Sequence, residues 1–270
     1  MFSEILTFIF FILIGLEIRE GLERPKAAIL PALCALSGML VPAFIFILFR
    51  TGTSGWAIAM PTDVALAIGA LSILGKKVNP SIRIFLLTLA VADDFFSLVV
   101  IGIFFRKDLH LASAIYTLGA AAIGLILPFR NDLIKYLSPI ATFLIIPIYI
   151  WLNLLAKLDL SIATGKISIA LIFSRVFGKV IGISLAAYLL TKFTKLRLPK
   201  SLDLREVIGL SFLAGMGLTV SLVIANITLK TDLQLAQVRA GLFCAALISG
   251  ALGLVWLTAL PGKTGAPRQD

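Results

Sequence analysis

The sequence has few charged residues for its length. Only 14% of its 270 residues are Asp, Glu, Lys or Arg, whereas 60% are hydrophobic. Soluble domains usually carry about 25% charged residues, which they need to cover a surface in contact with water. In a bilayer, moreover, the backbone N–H and C=O groups of a spanning segment need hydrogen-bond partners within the protein, and an α-helix provides them within the segment itself. The composition therefore excludes a soluble globular protein and predicts an all-α polytopic membrane protein.

Histidine and cysteine are also scarce. The single histidine, His110, excludes a metal or catalytic centre built from several histidines. Cys34 and Cys244 lie in apolar runs and are predicted to be buried free thiols. The formal net charge of +10 does not predict a nucleic-acid partner, because the basic residues lie between apolar runs rather than in one patch. We expect the lipid bilayer as partner, no cofactor and no enzymatic activity.

The apolar runs predict about nine membrane spans within a single transmembrane domain, residues 1–270, since about 20 apolar residues cross the hydrocarbon as a helix. The spans lie near residues 2–18, 27–49, 56–75, 83–105, 110–129, 136–156, 165–191, 205–228 and 237–260. The first is predicted to be a spanning helix, because no basic leader or small-residue cleavage site marks a signal peptide. Lys and Arg are roughly twice as frequent in the joints on one side, which predicts an outside N-terminus and a cytoplasmic C-terminus.

Two adjacent aspartates, Asp93 and Asp94, interrupt the apolar run from Ile84 to Phe105. A carboxylate at the bilayer centre costs about 2.5–3.5 kcal/mol on insertion scales, so two on one helix need a functional explanation. The pair therefore predicts a proton or cation site.

A third aspartate, Asp63, follows Thr62 and Pro61 in another apolar span. Proline removes a backbone donor and disfavours helix at the preceding residue, so this span is predicted to break here. A broken helix at membrane depth lines a cavity, and its ends are ion sites. The alternative is that Thr62 and Asp63 only cap the second half-helix.

Lys179 lies inside the seventh span between Gly178 and Gly182. Glycines four residues apart allow a close helix contact, so a buried counter-charge is expected among Asp63, Asp93 and Asp94. The alternative is a lysine that snorkels to the membrane surface. Arg175 lies one turn earlier, where it could reach a helix end or the membrane interface, so it is a weaker candidate than Lys179 for a buried ion pair with an aspartate.

The eighth span contains Gly215 and Gly217, followed by Thr219 and Ser221. These residues predict a second interrupted helix, although small residues also occur where helices simply pack closely. Corresponding interruptions in two halves indicate an inverted-repeat transporter with its site at mid-membrane. The repeats are predicted at residues 27–105 and 165–260, and each contains one discontinuous helix.

Two glutamates complete the set of candidate residues. Glu4, near the outer end of the first span, is either an interfacial carboxylate or part of a cation funnel. Glu17 belongs with Arg19 to a mixed-charge joint of the kind that is typically a solvated face.

Several segments, in this order, resemble the NhaA-type bacterial sodium/proton antiporter family. They are ILIGLEIREGL, WAIAMPTDVALAIGALSILGKKV, IRIFLLTLAVADDFFSLVVIGIFF, GKVIGISLAAYLL and FLAGMGLTVSLVIANITL. The resemblance implies a secondary antiporter of the inner membrane that exchanges Na⁺ or Li⁺ for H⁺ in pH and sodium homeostasis. It implies no cofactor beyond the transported ions. The inverted-repeat architecture is itself known from this family.

The resemblance also implies roles by position. Asp94 matches the family's principal cation-binding aspartate. Asp93 matches the neighbouring aspartate, which is expected to pair with the lysine represented here by Lys179. The ligands of Na⁺ would then be Asp94, Asp93 and Thr62. Asp63 and Thr62 match residues at the crossing of the broken helices, where a carboxylate offsets helix N-terminal charge. Glu4 matches a position in the cation funnel, and Glu17 a cytoplasmic glutamate linked to pH sensing.

The chain also departs from the family pattern. About nine spans are predicted where the family has about twelve, and the stretch between Phe105 and Arg130 is short. Ile134, Lys135 and Ser138 replace the family's pH-response residues, so alkaline activation is not carried over. A homodimer is implied, but the family's dimer side includes a helix that is missing here. The alternative functions are a truncated or partner-dependent protein without autonomous transport, and a sodium-coupled symporter on a similar core.

Overall fold

The computed structural model describes residues 2–22, 25–53, 55–75, 79–105, 118–127, 140, 144–199 and 201–260. Throughout this described part, every regular element is helical, which confirms the predicted all-α fold. The α-helices are α1 (Phe2–Leu22), α2 (Pro25–Leu48), α3 (Val64–Ile73), α4 (Pro80–Phe104), α5 (Ala120–Ile126), α6 (Ile146–Asn153), α7 (Lys166–Phe193), α8 (Leu204–Leu213), α9 (Thr219–Thr228) and α10 (Asp232–Ala259).

Four continuous helices among the described residues are long and apolar enough to cross a membrane. They are Ala28–Leu48 within α2, Pro80–Phe104, Lys166–Phe193 and Asp232–Ala259. The predicted fifth and sixth spans are represented by α5 and α6, and much of the remainder of both spans lies outside the described residues.

Two further spans are each broken into two pieces, as predicted. The first consists of a short 3₁₀ helix, Gly55–Ala59, and α3, which begins at Val64 after the non-helical segment that contains Pro61. The second consists of α8 and α9, and the chain between Leu213 and Thr219 contains both predicted glycines. The order of a continuous helix, a broken helix and a continuous helix therefore occurs twice. It occurs first as α2, the 3₁₀ helix with α3, and α4, and again as α7, α8 with α9, and α10.

Helices α2 and α7 touch along their backbones because small residues face each other. A Cβ atom on Gly182 would lie 2.6 Å from the carbonyl oxygen of Ser37, and one on Gly178 would lie 2.8 Å from the Cα of Pro42. Neither position has room for a larger residue unless the helices separate. This close approach holds Lys179, which lies between the two glycines, inside the helix bundle.

Helix α1 extends beyond the predicted end of the first span. It packs against α5, and Arg19 Nη1 donates hydrogen bonds to the carbonyl oxygens of Leu125 (3.2 Å) and Leu127 (2.8 Å) at the C-terminal end of α5. Arg19 and Glu17 are half-buried residues of this helix. The prediction that both belong to a solvated joint is therefore wrong: carbonyl groups at a helix end attract the arginine.

Candidate cation site

An ion pair lies at the centre of the bundle. Lys179 Nζ is 2.7 Å from Asp93 Oδ2, and neither side chain is exposed to solvent. Thr62 Oγ1 accepts a hydrogen bond from Lys179 Nζ at 2.8 Å and donates a short one to the same Asp93 oxygen. The three groups come from α7, α4 and the break of the first broken helix, so one buried lysine joins three elements. The idea that Lys179 snorkels to the surface is wrong.

Asp94 lines a separate space beside this pair. A cavity of about 310 Å³ is bounded by its carboxylate and by the polar side chains of Glu17, Thr62, Asp63 and Thr219. Apolar residues of α1, among them Phe10 and Ile14, form much of the remaining wall. Although Asp93 and Asp94 are neighbours in sequence, successive helical residues point about 100° apart. Asp94 therefore borders the cavity, and Asp93 is held by the lysine.

Asp63 connects the two broken helices. It occupies the N-cap position of α3, but its side chain makes no capping hydrogen bond there. Its Oδ2 instead accepts hydrogen bonds from the backbone N–H (3.3 Å) and the Oγ1 (2.9 Å) of Thr219, the first residue of α9. The carboxylate therefore offsets the positive end of the opposite half-helix. The alternative that Asp63 only caps its own helix is wrong.

Arg175 is fully buried and contacts both chain breaks. Its Nη1 donates to the carbonyl oxygen of Ile58 (2.8 Å) and to Ser221 Oγ (2.9 Å), and its Nη2 donates to the carbonyl oxygen of Pro61 (2.6 Å). Its Nε donates to the carbonyl oxygen of Gly215 at 3.2 Å. One guanidinium thus satisfies carbonyl groups that the two interruptions leave without helical partners.

The surroundings of Arg175 are shaped for its guanidinium. It belongs to a five-residue π-helical segment of α7, Ser174–Gly178, and such segments are frequent at functional sites. A Cβ atom on Gly217 would lie 1.9 Å from Arg175 Nη2 and 2.2 Å from the carbonyl oxygen of Pro61. Glycine at this position therefore leaves the space that the arginine fills.

Comparisons with known proteins identify the family. The model of the family described as "Na+/H+ antiporter 1" matches residues 1–131 and 128–257. The chain belongs to this family. It is 29% identical over 308 residues to Na⁺/H⁺ antiporter NhaA 1 of Clostridium beijerinckii, an alignment that covers 91% of this chain and 77% of the relative. It is 29% identical over 321 residues to NhaA of Histophilus somni, covering 96% and 81%, and 28% identical over 319 residues to NhaA of a Shewanella species, covering 95% and 82%.

These alignments are longer than the chain itself, which has 270 residues. The relatives therefore contain residues that have no counterpart here, as expected of a shortened member. The family and the apolar helices agree with the predicted membrane antiporter, which is not an enzyme and needs no cofactor. The symporter and partner-dependent alternatives receive no support from the comparisons.

The structure brings most of the predicted site residues of this antiporter together. Thr62, Asp63, Asp93, Asp94 and Lys179 lie at the crossing of the broken helices, and Glu17 borders the cavity. The side chain of Glu4 lies outside the described part of the structure. The sequence analysis gave Arg175 too little weight as a buried functional residue. The signal that could have identified it is that it is a second basic residue, one turn before Lys179 in the same apolar span.

Proposed function

We propose that this antiporter exchanges Na⁺ or Li⁺ for H⁺ with Asp94 as the principal cation ligand. The observation that carries this proposal is the different situation of the two adjacent aspartates. Asp94 borders the cavity, whereas Asp93 is bound to Lys179. Sodium and lithium are hard cations that suit oxygen ligands, and Thr62 supplies a hydroxyl oxygen beside both carboxylates.

Binding of the cation and binding of protons compete at this site. Adjacent buried carboxylates disfavour simultaneous ionisation, so a proton or a cation is needed to neutralise the pair. Full coordination of the cation by Asp94, Asp93 and Thr62 requires Asp93 to turn from Lys179.

The second part of the proposal concerns the protons. Asp93 is the lysine-paired proton carrier, and it or Lys179 releases a proton when their ion pair breaks. The two groups titrate as a coupled unit, so the proton belongs to the pair. Exchange of more than one proton per Na⁺ makes transport electrogenic, and each net charge is then worth about 2.3 kcal/mol per 100 mV.

The repeated order of helices supports an inverted-repeat core made of residues 27–105 and 165–260. Rocking of this core against the remaining helices would expose the site alternately to the two sides. The excess of Lys and Arg supports an inner-membrane orientation with the N-terminus outside and the C-terminus in the cytoplasm. In that orientation the cavity wall that holds Glu17 and Ser72 lies on the cytoplasmic side of Asp94. Homodimerisation stays a prediction.

Reconstitution of the purified chain in proteoliposomes tests this function. With a pH-sensitive dye inside acid-loaded vesicles, external Na⁺ or Li⁺ should alkalinise the lumen, and an equal concentration of choline should not. A membrane potential set with K⁺ and valinomycin should change the initial rate if exchange is electrogenic. An equal alkalinisation of the lumen with choline and with Na⁺ would contradict the proposal. Absence of any alkalinisation with either Na⁺ or Li⁺ would favour the partner-dependent alternative.

A further inference from the structure

Four oxygen atoms from separate parts of the chain surround the guanidinium of Arg175, and together they form an oxygen cage. They are the carbonyl oxygens of Ile58 (2.8 Å), Pro61 (2.6 Å) and Gly215 (3.2 Å) and the Oγ of Ser221 (2.9 Å). All three nitrogen atoms of the guanidinium donate to these oxygens. The positive group is therefore held as a bound ion is held, by oxygens that converge on it from several elements.

The cage lies where both broken helices lose their regular hydrogen bonds. Ile58 belongs to the 3₁₀ helix Gly55–Ala59, and Pro61 belongs to the non-helical segment that follows it. Gly215 follows the C-terminal end of α8, and Ser221 lies in the first turn of α9. Carbonyl groups at a helix C-terminus carry partial negative charge, and unwound carbonyl groups at membrane depth coordinate cations in transporters with broken helices. The two interruptions therefore supply the oxygens of a cation site.

The four oxygens of the cage are uncharged. Carbonyl and hydroxyl oxygens are ligands that suit hard cations, and rings of backbone carbonyl groups bind monovalent ions in channels. None of the described groups that bond to the guanidinium is a carboxylate. The positive charge in the cage comes from Arg175, whose guanidinium stays protonated in proteins. The chemistry of the cage is therefore that of a site for one monovalent cation.

The cage is separate from the cavity that Asp94 borders. Neither Arg175 nor any residue of the cage is part of the wall of that cavity. The side chains of Arg175, Ile58 and Ser221 are 0% exposed, so the cage is buried within the bundle. The guanidinium therefore does not occupy the space in which Asp94 meets the transported cation.

We propose that the oxygen cage is a second cation site and that the guanidinium of Arg175 is its permanent occupant. A free alkali cation does not enter this site in the wild type, because a covalently attached cation already fills it. The antiporter consequently binds one Na⁺ per chain, at Asp94. This consequence rests on the proposed function, whereas the filling of the cage by a guanidinium does not.

A side chain that only ties α7 to the two chain breaks would make the same contacts. The two roles differ in what can replace the arginine. A tie needs the covalent link to α7, whereas a cation site needs only an ion of suitable size and charge. A free guanidinium ion, supplied to a variant that lacks the arginine side chain, separates the two roles.

The test measures the midpoint of thermal unfolding of Arg175→Ala in detergent with added guanidinium chloride. Millimolar concentrations are used, far below those that denature proteins. At about ten times its dissociation constant, guanidinium should raise the midpoint by about 3–5 °C, because it binds the folded state. Urea has a similar planar shape without the charge, and choline has the charge without N–H donors, so neither should raise the midpoint. The wild type should show no increase, since its cage is filled.

Arg239→Ala is the matched control variant. The Nε of Arg239 donates to one carbonyl oxygen among the described residues, that of Asn153, at 2.9 Å. A free guanidinium ion has too few partners there to bind, so the unfolding midpoint of Arg239→Ala should not rise. An increase confined to Arg175→Ala therefore reports the cage and not a general effect of the salt.

Two results of the thermal measurement would overturn the inference: no stabilisation of folded Arg175→Ala by guanidinium, or equal stabilisation by urea. If Arg175→Ala is not recovered in folded form, equilibrium binding of radioactive Na⁺ to the wild type decides. It should reach one Na⁺ per chain and be lost in Asp94→Asn, whereas a second Na⁺ that is retained in Asp94→Asn would overturn the inference. Absence of exchange by the wild type would instead count against the proposed function, because the thermal measurement does not depend on transport.

Discussion

Lys179 Nζ lies 2.7 Å from Asp93 Oδ2, and the two fully buried residues are 86 positions apart in the sequence. One belongs to each of the two proposed repeats. Their ion pair therefore joins the two proposed halves of the core, beside Asp94, the next residue of α4. A contact that stabilises the resting protein must also break during transport if Asp93 is to bind the cation.

Replacement of Lys179 by Met should destabilise the protein strongly. The substitution leaves Asp93 buried without its counter-charge, and removal of one partner of a buried ion pair costs about 3–5 kcal/mol. The midpoint of thermal unfolding in detergent should fall clearly below that of the wild type. The double variant Lys179→Met with Asp93→Asn should recover part of this loss, because no unpaired charge is left. If the double variant is as unstable as the sum of the single ones, the two residues are not energetically coupled.

Replacement of Asp63 by Asn should weaken Na⁺ binding while the fold is preserved. The amide still accepts a hydrogen bond from Thr219 but no longer offsets the positive end of α9. Asp63 and Asp94 line the same cavity, so loss of this negative charge weakens the attraction for the cation; a loss of about 1 kcal/mol would raise the apparent KM for Na⁺ about fivefold. Thr219→Val keeps the backbone hydrogen bond and should have a smaller effect. A larger effect of Thr219→Val would show that the hydroxyl, not the charge, matters.

Replacement of Arg175 by Met should remove the connection between the two chain breaks. Several buried carbonyl groups lose their donor at about 1–3 kcal/mol each, so both stability and exchange rate should fall. Arg175→Lys retains the charge but cannot reproduce the planar fork of donors, and it should recover only part of the loss.

Gly217→Ala offers a second way to disturb the same contacts, because its added methyl group would collide with Arg175 Nη2. It should resemble Arg175→Met in exchange rate and unfolding midpoint. Gly102→Ala is the matched control, since among the described residues the atom nearest to a Cβ there is Leu118 Cδ1, at an ordinary van der Waals distance of 3.8 Å. A wild-type exchange rate and unfolding midpoint in Gly217→Ala would contradict the role of the Arg175 guanidinium in connecting the two chain breaks.

The apparent affinity for Na⁺ should increase with pH. Protons and Na⁺ compete for the same carboxylates, so fewer sites are blocked as the proton concentration falls. With one competing proton, the apparent KM for Na⁺ should decrease about tenfold per pH unit on the acid limb and then level off where the site is deprotonated. Initial rates measured over a series of Na⁺ concentrations at several pH values provide the test. A KM that does not change with pH would exclude direct competition.

The sequence was most informative where a residue contradicted its surroundings. Charged residues in apolar runs identified Asp63, Asp93, Asp94 and Lys179, because burial of a charge is costly enough to need a reason. Pro61 predicted the first chain break from its missing backbone donor. Gly215 and Gly217 predicted the second only in combination with the first, since small residues also mark close packing.

The sequence was less informative where the outcome depended on distant contacts. Arg175 could have reached the membrane surface, and only the positions of the Ile58, Pro61 and Gly215 carbonyl groups show what it binds. Asp63 bonds to Thr219, which is 156 positions away. From the residues alone, a cap of its own helix was one alternative, and the family resemblance pointed to the crossing of the two broken helices. Neither identified Thr219 as the partner.

Asp94 is proposed as the principal ligand of the transported cation, and the Asp94→Asn variant tests this role most directly. The variant is reconstituted in proteoliposomes beside the wild type and beside Asp159→Asn, in which the altered residue is an exposed loop aspartate. Equal unfolding midpoints establish that all three are folded. We predict that Asp94→Asn abolishes Na⁺-dependent and Li⁺-dependent alkalinisation of the vesicle lumen, whereas Asp159→Asn retains it. Wild-type exchange by a folded Asp94→Asn variant would contradict the account.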